Sequence, residues 1–254
     1  MSVNPRQLQL LQTVQQQGSV MLDTLAEVLE VTLQTVRRDV QKLADEGLLT
    51  RFHGGVRLPG STVENITHLQ RVQLHAAEKG RIARAVAQAI PHHCSLILNI
   101  GTTTEAVARA LLDHRGLRVI TNNLNVATIL SANPHSEVIV VGGVVRGRDH
   151  GIVGEAAVDF IRQFKVDLAV IGISGIEADG SLRDYDYREV KVARTIIDHA
   201  REVWVVADTT KFNRPAMVEV GQLAQIDRLF TDATPPAPFP ALLQDAGVRL
   251  EIAD

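Results

Sequence analysis

The sequence predicts an α/β protein in which a small, mostly helical unit precedes a larger α/β domain built on a largely parallel sheet. Three observations carry this. Seven apolar runs of strand length recur between residues 95 and 252, helix-patterned stretches lie between most of them, and residues 1–58 follow a different rhythm of short amphipathic segments ending in a Gly-Gly turn. Alternating strand and helix, with strands almost continuously apolar, indicate a sheet covered on both faces. The chain has 254 residues, 45% of them hydrophobic, which is room for one small and one medium domain.

In the first unit, Asn4-Pro5 opens a helix with Leu8, Leu11 and Val14 inward, and Gly18 ends it. Asp23 is placed to cap a second helix carrying Leu25, Ala26 and Leu29. Thr32 caps a third, beginning at Leu33 and stopped by Gly47. At about 100° per residue its Val36, Val40 and Leu43 fall within roughly 60° of one another. Gln34, Arg38 and Gln41 share the opposite face, flanked by Arg37 and Lys42. Leu48–Leu58 reads as two short strands around Gly54-Gly55. Three short helices, the last presenting Arg and Gln outward, fit a helix-turn-helix. The candidate DNA contacts are Thr32, Gln34, Thr35, Arg37, Arg38, Gln41 and Lys42, with Arg51 and His53 on a wing against phosphates. A helical domain with a merely solvated outer face fits the same spacing. Residues 1–60 hold six Lys+Arg and six Asp+Glu, a net charge of zero. A neutral domain grips DNA weakly alone, which implies binding as a dimer or larger.

Pro59–Asn65 is polar and rich in breakers, so the expected division is 1–58, a linker over 59–69, and 70–254. The larger domain opens with a helical face, Ile82, Ala83, Val86, Ala89 and Ile90, stopped by Pro91. Strands are expected at Ser95–Ile100, Leu117–Thr121, Glu137–Val141, Asp167–Ile173, Glu202–Ala207, Arg228–Thr231 and Val248–Ile252. Helices are expected at Thr104–Leu112, Leu124–Leu130, Glu155–Phe164, Arg188–His199 and Pro240–Ala246. Ligands of such sheets sit at the carboxyl ends of the strands. Small, hydroxylic and amide residues follow the strands here: Gly101-Thr102-Thr103-Thr104, Asn122-Asn123, Gly142-Gly143, Ser174-Gly175, Asp208 to Lys211, and Asp232. Gly101–Thr104 opens a helix, so its free amides, dipole and hydroxyls can hold a phosphate; a plain N-cap with spare threonines is the alternative. Asp184–Lys191, around Tyr185 and Tyr187, is either a strand end gripping polyol hydroxyls or a solvated loop. Asp208 and Lys211 are either partners of a sugar phosphate or a surface pair.

Several classes are set aside. No apolar run approaches the ~18 residues of a membrane helix, and Met1–Arg6 lacks an apolar signal region. The single Cys94 excludes an internal disulfide and suits the cytoplasm. His92-His93-Cys94 has no second ligand cluster, so neither metal nor cofactor is expected. Trp204 lies in an apolar run and is expected in the core. The net charge of −3 says nothing about partners.

The chain resembles the DeoR family of bacterial transcription regulators. In the head, the residues that carry this are Val31, Thr35, Val36, Arg37, Arg38, Asp39, Val40, then Gly47, Leu49, Arg51, His53, Gly54 and Gly55. In the larger domain they are Arg71, Lys79, Ile82, Ala83, Gly101–Thr103, Thr121-Asn122, Gly142-Gly143, and Asp208, Thr210, Lys211, Phe212. The resemblance implies a winged helix-turn-helix joined to a sensor domain similar in fold to ribose-5-phosphate isomerase and CoA transferases. It implies a repressor, not an enzyme, that binds operator double-stranded DNA as a homo-oligomer, dimer or tetramer, and is released by a phosphorylated small molecule. Ile100–Thr103, Glu105–Ala108, Thr121–Ala127, Gly172–Ile176 and Asp186-Tyr187 resemble the members that govern glycerol 3-phosphate use. They imply sn-glycerol 3-phosphate or a related sugar phosphate as effector, at Gly101, Thr102, Thr103, Thr104, Asn122, Gly142, Gly143, Asp186 and Lys211. The chain departs from the family at Thr32, where Ser is usual, at Asn99, where Asp often precedes the turn, and at Asn213, where Gly often follows Lys-Phe. A sugar-phosphate isomerase with an accessory DNA-binding domain is the alternative from another class, with Asp184, Asp186, Glu189 and Lys191 as its acid–base groups.

Overall fold

The computed structural model describes residues 4–17, 19–52, 54–57 and 67–254. The expected linker falls mostly outside them, as does His53. The chain forms two compact units, residues 1–66 and 67–254. Among the described residues, no helix is long and apolar enough to cross a membrane.

The head runs α1 (Pro5–Gln17), β1 (Ser19–Met21), α2 (Leu22–Val28), α3 (Leu33–Asp45), β2 (Thr50–Phe52) and β3 (Gly55–Arg57). Asn4 and Gln7 cap α1 reciprocally, each side-chain oxygen accepting from the other's backbone N–H at 2.8 and 3.2 Å. The Thr32 hydroxyl accepts from Thr35 N at 3.3 Å, as expected of the cap. Asp23 does not cap α2. The cap position belongs to Met21, which is still engaged in β1, and Asp23 lies within the first turn. The strands form an antiparallel sheet in the order β1-β3-β2. Gly54 turns the β2–β3 hairpin at φ +75°. At Gly55 a Cβ would lie 2.3 Å from the Phe52 ring and 2.8 Å from Val20 O, so only glycine fits. Leu10, Val14, Leu25, Val36, Val40, Leu43 and Val56 close the core beneath.

The second unit runs α4 (His68–Gln73), α5 (Ala76–Ala89), β4 (Ser95–Leu98), α6 (Thr102–Ala110), β5 (Leu117–Thr121), α7 (Leu124–Leu130), β6 (Ser136–Val140), β7 (Val144–Arg146), β8 (Gly151–Val153) and α8 (Glu155–Ile161). It continues with β9 (Val166–Gly172), β10 (Gly175–Ile176), β11 (Ser181–Asp184), α9 (Tyr187–Asp198), β12 (Ala200–Val206), β13 (Val218–Gln222), β14 (Arg228–Thr231), α10 (Phe239–Asp245) and β15 (Arg249–Ile252). The seven expected strands are the seven of one parallel sheet, ordered β15-β14-β12-β9-β4-β5-β6. Alternate residues serve opposite faces. Leu96, Leu98, Val170, Trp204 and Phe230 pack with α5, α6 and α7, while Ile97, Ala169, Ile171, Val205 and Leu229 pack with α8, α9 and α10.

Chain direction across the sheet reverses between β4 and β9, the switch point at whose carboxyl edge sheets of this kind offer a crevice to ligands. Around it stand smaller elements that the apolar pattern did not announce: the β7–β8 hairpin and the antiparallel sheet β10-β11-β13.

Candidate functional sites

In the head, Asp39 is buried on the inner side of α3 and fixes that helix to α1. It accepts from Arg6 Nε at 2.6 Å and Gln7 Nε2 at 2.9 Å. Burial opposes its charge, but these bonds prevail and hold the carboxyl below the usual range. With Asp39 and Arg6 neutralising each other, the exposed face of α3 keeps Gln34, Arg37, Arg38, Gln41 and Lys42. These residues, with Asp45, Glu46 and Arg51 of β2, line an open groove of about 660 Å³. Gln41 joins helix to wing: its Oε1 accepts from Arg51 Nη1 and its Nε2 donates to Asp45 at 2.7 Å. Thr32 and Thr35 lie along a second hollow with Arg6 and Glu30, their hydroxyls 2.9 Å apart. The Arg37 and Arg38 guanidiniums make no ion pair among the described residues.

In the second unit, the Gly101–Thr104 turn sits at the crevice. A Cβ on Gly101 would lie 3.8 Å from the Gly172 Cα, so the β4 and β9 ends pass closely. The three threonines divide. Thr104 donates its hydroxyl to Asn99 O at 2.8 Å and Gly101 O at 2.7 Å, and is fully buried. The hydroxyls of Thr102 and Thr103 make no hydrogen bond among the described residues, which leaves them available to a ligand together with the first-turn amides of α6. Asn99 accepts from Ile100 N at 2.7 Å, so a neutral amide shapes the entry to the turn.

Asn122 fastens β8 to the β5 end. Its carbonyl accepts from Ile152 N at 2.7 Å and its Nδ2 donates to Ile152 O at 3.2 Å, while its buried Oδ1 has no hydrogen-bond partner among the described residues. Gly142 and Gly143 are exposed where β6 passes into the hairpin. Asp186 caps α9 through Arg188 N at 2.9 Å and pairs with Arg146 at 2.9 Å and with Arg148 and Arg188 at 3.3 Å. Despite burial, these bonds bring its carboxyl to about 2.

Arg146 was not expected as a feature. It is buried and binds Asp149 at 2.7 Å, Asp186 at 2.9 Å and Glu189 at 2.5 Å, tying the hairpin to the start of α9. Burial and the neighbouring Asp184 nevertheless push Glu189 up to about 7, and burial raises Asp184 too. Glu105, just past the turn, is a second hub. It meets His68 of α4 and Asn125 at 2.9 Å each, and Asn123 at 3.4 Å. Arg146 has no sequence signal beyond an isolated charge, and Glu105 is marked only within the stretch Glu105–Ala108 that carries the family resemblance.

Asp208 and Lys211 follow β12. Burial disfavours the Asp208 charge, but Lys211, His75 and Lys79 bring it to about 2. Burial, then the like charge of Arg214, drops Lys211 to about 7 against the opposing pull of Asp208, and Lys79 and Arg71 add to the repulsion. At this edge the cations Arg71, Lys79, Lys211 and Arg214 and the carboxylates Asp208, Asp184 and Glu105 thus act on one another's charge.

The head matches the model of the DeoR-like helix-turn-helix domain over residues 6–62, and residues 74–233 match that of the DeoR C terminal sensor domain. The chain is 46% identical to the glycerol-3-phosphate regulon repressor of Escherichia coli (strain K12) over 243 residues, covering 96% of each chain. It is 45% identical to the HTH-type transcriptional repressor CsqR of the same organism, covering 97% of this chain and 94% of that one. Among solved structures it is similar to ribose 5-phosphate isomerase A of Methanocaldococcus jannaschii, at 13% identity and a TM-score of 0.41, covering 54% of this chain and 55% of that one. The chain carries both domains of the DeoR regulators in their order and along nearly its whole length, and it belongs to the DeoR family.

Proposed function

We propose that this protein represses a regulon for glycerol 3-phosphate or a similar phosphorylated polyol, and that the phosphorylated compound releases it from its operator. The observation that supports the sensing half is the helix-opening turn at Gly101, where the Thr102 and Thr103 hydroxyls make no hydrogen bond among the described residues, together with Lys211 and with Lys79, whose charge interacts with Glu105 in the first turn of the same helix. The reading half rests on Gln34, Arg37 and Arg38 on the open face of α3 and Thr35 at the neighbouring hollow, in or beside the major groove, with Arg51 against phosphates and His53, outside the described residues, expected beside it. The head is electrically neutral, so it works as one of several linked copies, a dimer or tetramer in the cytoplasm. The effector shifts the oligomer to a state whose heads no longer match the operator. A coupling of about 1–3 kcal/mol changes operator affinity some 5- to 150-fold, and by linkage operator DNA weakens the effector equally.

The isomerase alternative is not supported. The chain carries a DeoR reading head, and relatives covering more than nine-tenths of it are named repressors. The chain is nearly equally identical to two differently named repressors, so the glycerol 3-phosphate reading rests on the site residues and not on overall likeness. The test is retention of upstream DNA in a gel against sn-glycerol 3-phosphate, glycerol and a panel of sugar phosphates. Release by sn-glycerol 3-phosphate but not glycerol is expected; release by another sugar phosphate alone overturns the glycerol assignment.

A further inference from the structure

The two outer strands of the parallel sheet are finished differently. On one side, β15 carries Arg249 and Glu251, paired at 2.6 Å, and charge of this kind keeps a free strand from pairing with other chains. On the other side, β6 reads Ser136-Glu137-Val138-Ile139-Val140. Its one charge, Glu137, is matched within the chain by Arg118 of β5 at 2.6 Å, and the strand has no lysine, proline or bulge to blunt it. Val138, Ile139 and Val140 are β-branched, the residue type that suits a paired strand.

The outer side of β6 is open. His135 O accepts from Gly116 N and Val141 N donates to Thr121 O, so the odd-numbered residues here bond toward β5. By alternation the N–H and C=O groups of Val138 and Val140 point away from it, and among the described residues no strand lies on that side. The same end is apolar. Val140 is 41% exposed, and Val144 and Val145, 68% and 48% exposed, follow it so closely that the chain's reach keeps Val144 within about 14 Å.

A second copy of the same strand fits this side. Laid antiparallel about a two-fold axis at Val138, Val138 meets its own copy and Ser136 meets Val140, and these pairs exchange backbone hydrogen bonds. Only Ser136 N is taken, by Asn133 O. Glu137 then stands opposite Ile139, so no like charges oppose, and a strand almost without charge has no means of selecting a partner by charge.

We propose that β6, with the valines that follow it, is an interface with a second copy of this chain, paired so that two seven-stranded sheets become one. This rests on the reading that the protein works as linked copies, and it names the surface that links them. β6 runs on through Gly142-Gly143 into the hairpin whose Arg146 holds Asp186 and Glu189, so the interface and the candidate effector site share one stretch of chain.

The test is the mass of the full chain by sedimentation equilibrium, for the parent, for Val140→Lys with Val144→Lys, and for Ile252→Lys on the opposite outer strand. The double variant is expected to halve the mass and, with fewer heads linked, to bind operator at least tenfold more weakly. Ile252→Lys is expected to keep the parental mass. A parental mass in the double variant overturns the proposal, as does a lowered mass in Ile252→Lys, because β6 is then not singled out. If the double variant does not fold, hydrogen exchange of the parent decides, measured above and below the concentration at which its mass falls. Protection of the Val138 and Val140 amides that is lost on dilution supports the interface. Fast exchange in the oligomer overturns it, and so does protection that survives dilution, which means that one copy covers its own strand. A parent that is monomeric at every concentration overturns both the interface and the linked-copies reading, whereas an oligomeric parent with an unchanged double variant overturns the interface alone.

Discussion

Arg6 Nε lies 2.6 Å from Asp39 Oδ2, so the carboxylate directly after the paired arginines of α3 points inward to α1, not outward to DNA. Asp39→Ala removes the partner of buried Gln7 as well. It is expected to cost the head about 1–3 kcal/mol, the range for leaving a buried hydrogen-bonding group unsatisfied. Because Asp39 has a lowered carboxyl, its stabilisation is complete above the unfolded value and is lost as pH falls through the folded one. Acid unfolding of the parent and of Asp39→Ala, followed by circular dichroism, checks this: the parent advantage should vanish at the acid end, and an unchanged gap there contradicts it.

Arg38 projects from the same helix and makes no ion pair among the described residues. Arg38→Ala should weaken operator binding by about 1–3 kcal/mol per reading head if it grips a guanine edge. Competition with non-specific DNA separates base reading from phosphate contact, because loss of a phosphate contact weakens both alike. Unchanged operator affinity removes Arg38 from the interface.

The threonines of the turn should separate by experiment. Thr102→Val with Thr103→Val removes two uncommitted hydroxyls, so operator binding persists and the response to effector disappears. Thr104→Val instead strips the donor from Asn99 O and Gly101 O, and should lower stability by about 1–2 kcal/mol. A double variant that is still released normally by effector defeats the assignment of the turn. Thermal melting reads the second effect.

Lys211 gives the site a pH dependence. Its folded value of about 7 means that it is charged below neutrality, facing Asp208 and the cations Arg214, Lys79 and Arg71. A bound dianion favours the charged form, so affinity is full below about 7 and declines as pH rises through the bound value. On the acid side the effector's own second ionisation, near about 6, withdraws the dianion. Titration calorimetry from about pH 5.5 to 9 should show best binding between about 6 and 7, with proton uptake above that. Lys211→Gln should flatten the alkaline limb, and an alkaline decline that survives the substitution rules Lys211 out as its source.

The seven strands of the parallel sheet were legible because two-sided burial writes them as apolar runs, and Trp204 sits in the core as its run implied. The strands that passed unseen are β1, β7, β8, β10, β11 and β13, of two to five residues each. Strands that short carry too few side chains to establish a period. The site was legible as a list of loop residues but not as a network. Arg146 and Asp149, three residues apart, carry no pattern that marks them, and only docking of the hairpin against α9 brings them together with Asp186 and Glu189. Asn213 is instructive in the other direction. It takes φ +56°, the left-handed region that explains the glycine common there and that asparagine tolerates better than most residues.

The reversal between β4 and β9 has a consequence in time. Asn99 N reaches Val170 O at 3.1 Å, and Gly101 lies against Gly172, so the turn is walled by chain made some seventy residues later. The head closes on contacts within residues 4–57 and leaves the ribosome first. During synthesis the head therefore folds before the chain that walls the turn exists. A chain cut short ahead of Val166 would keep a folded reading head beside an unwalled turn, and as a single neutral head it would hold DNA only weakly.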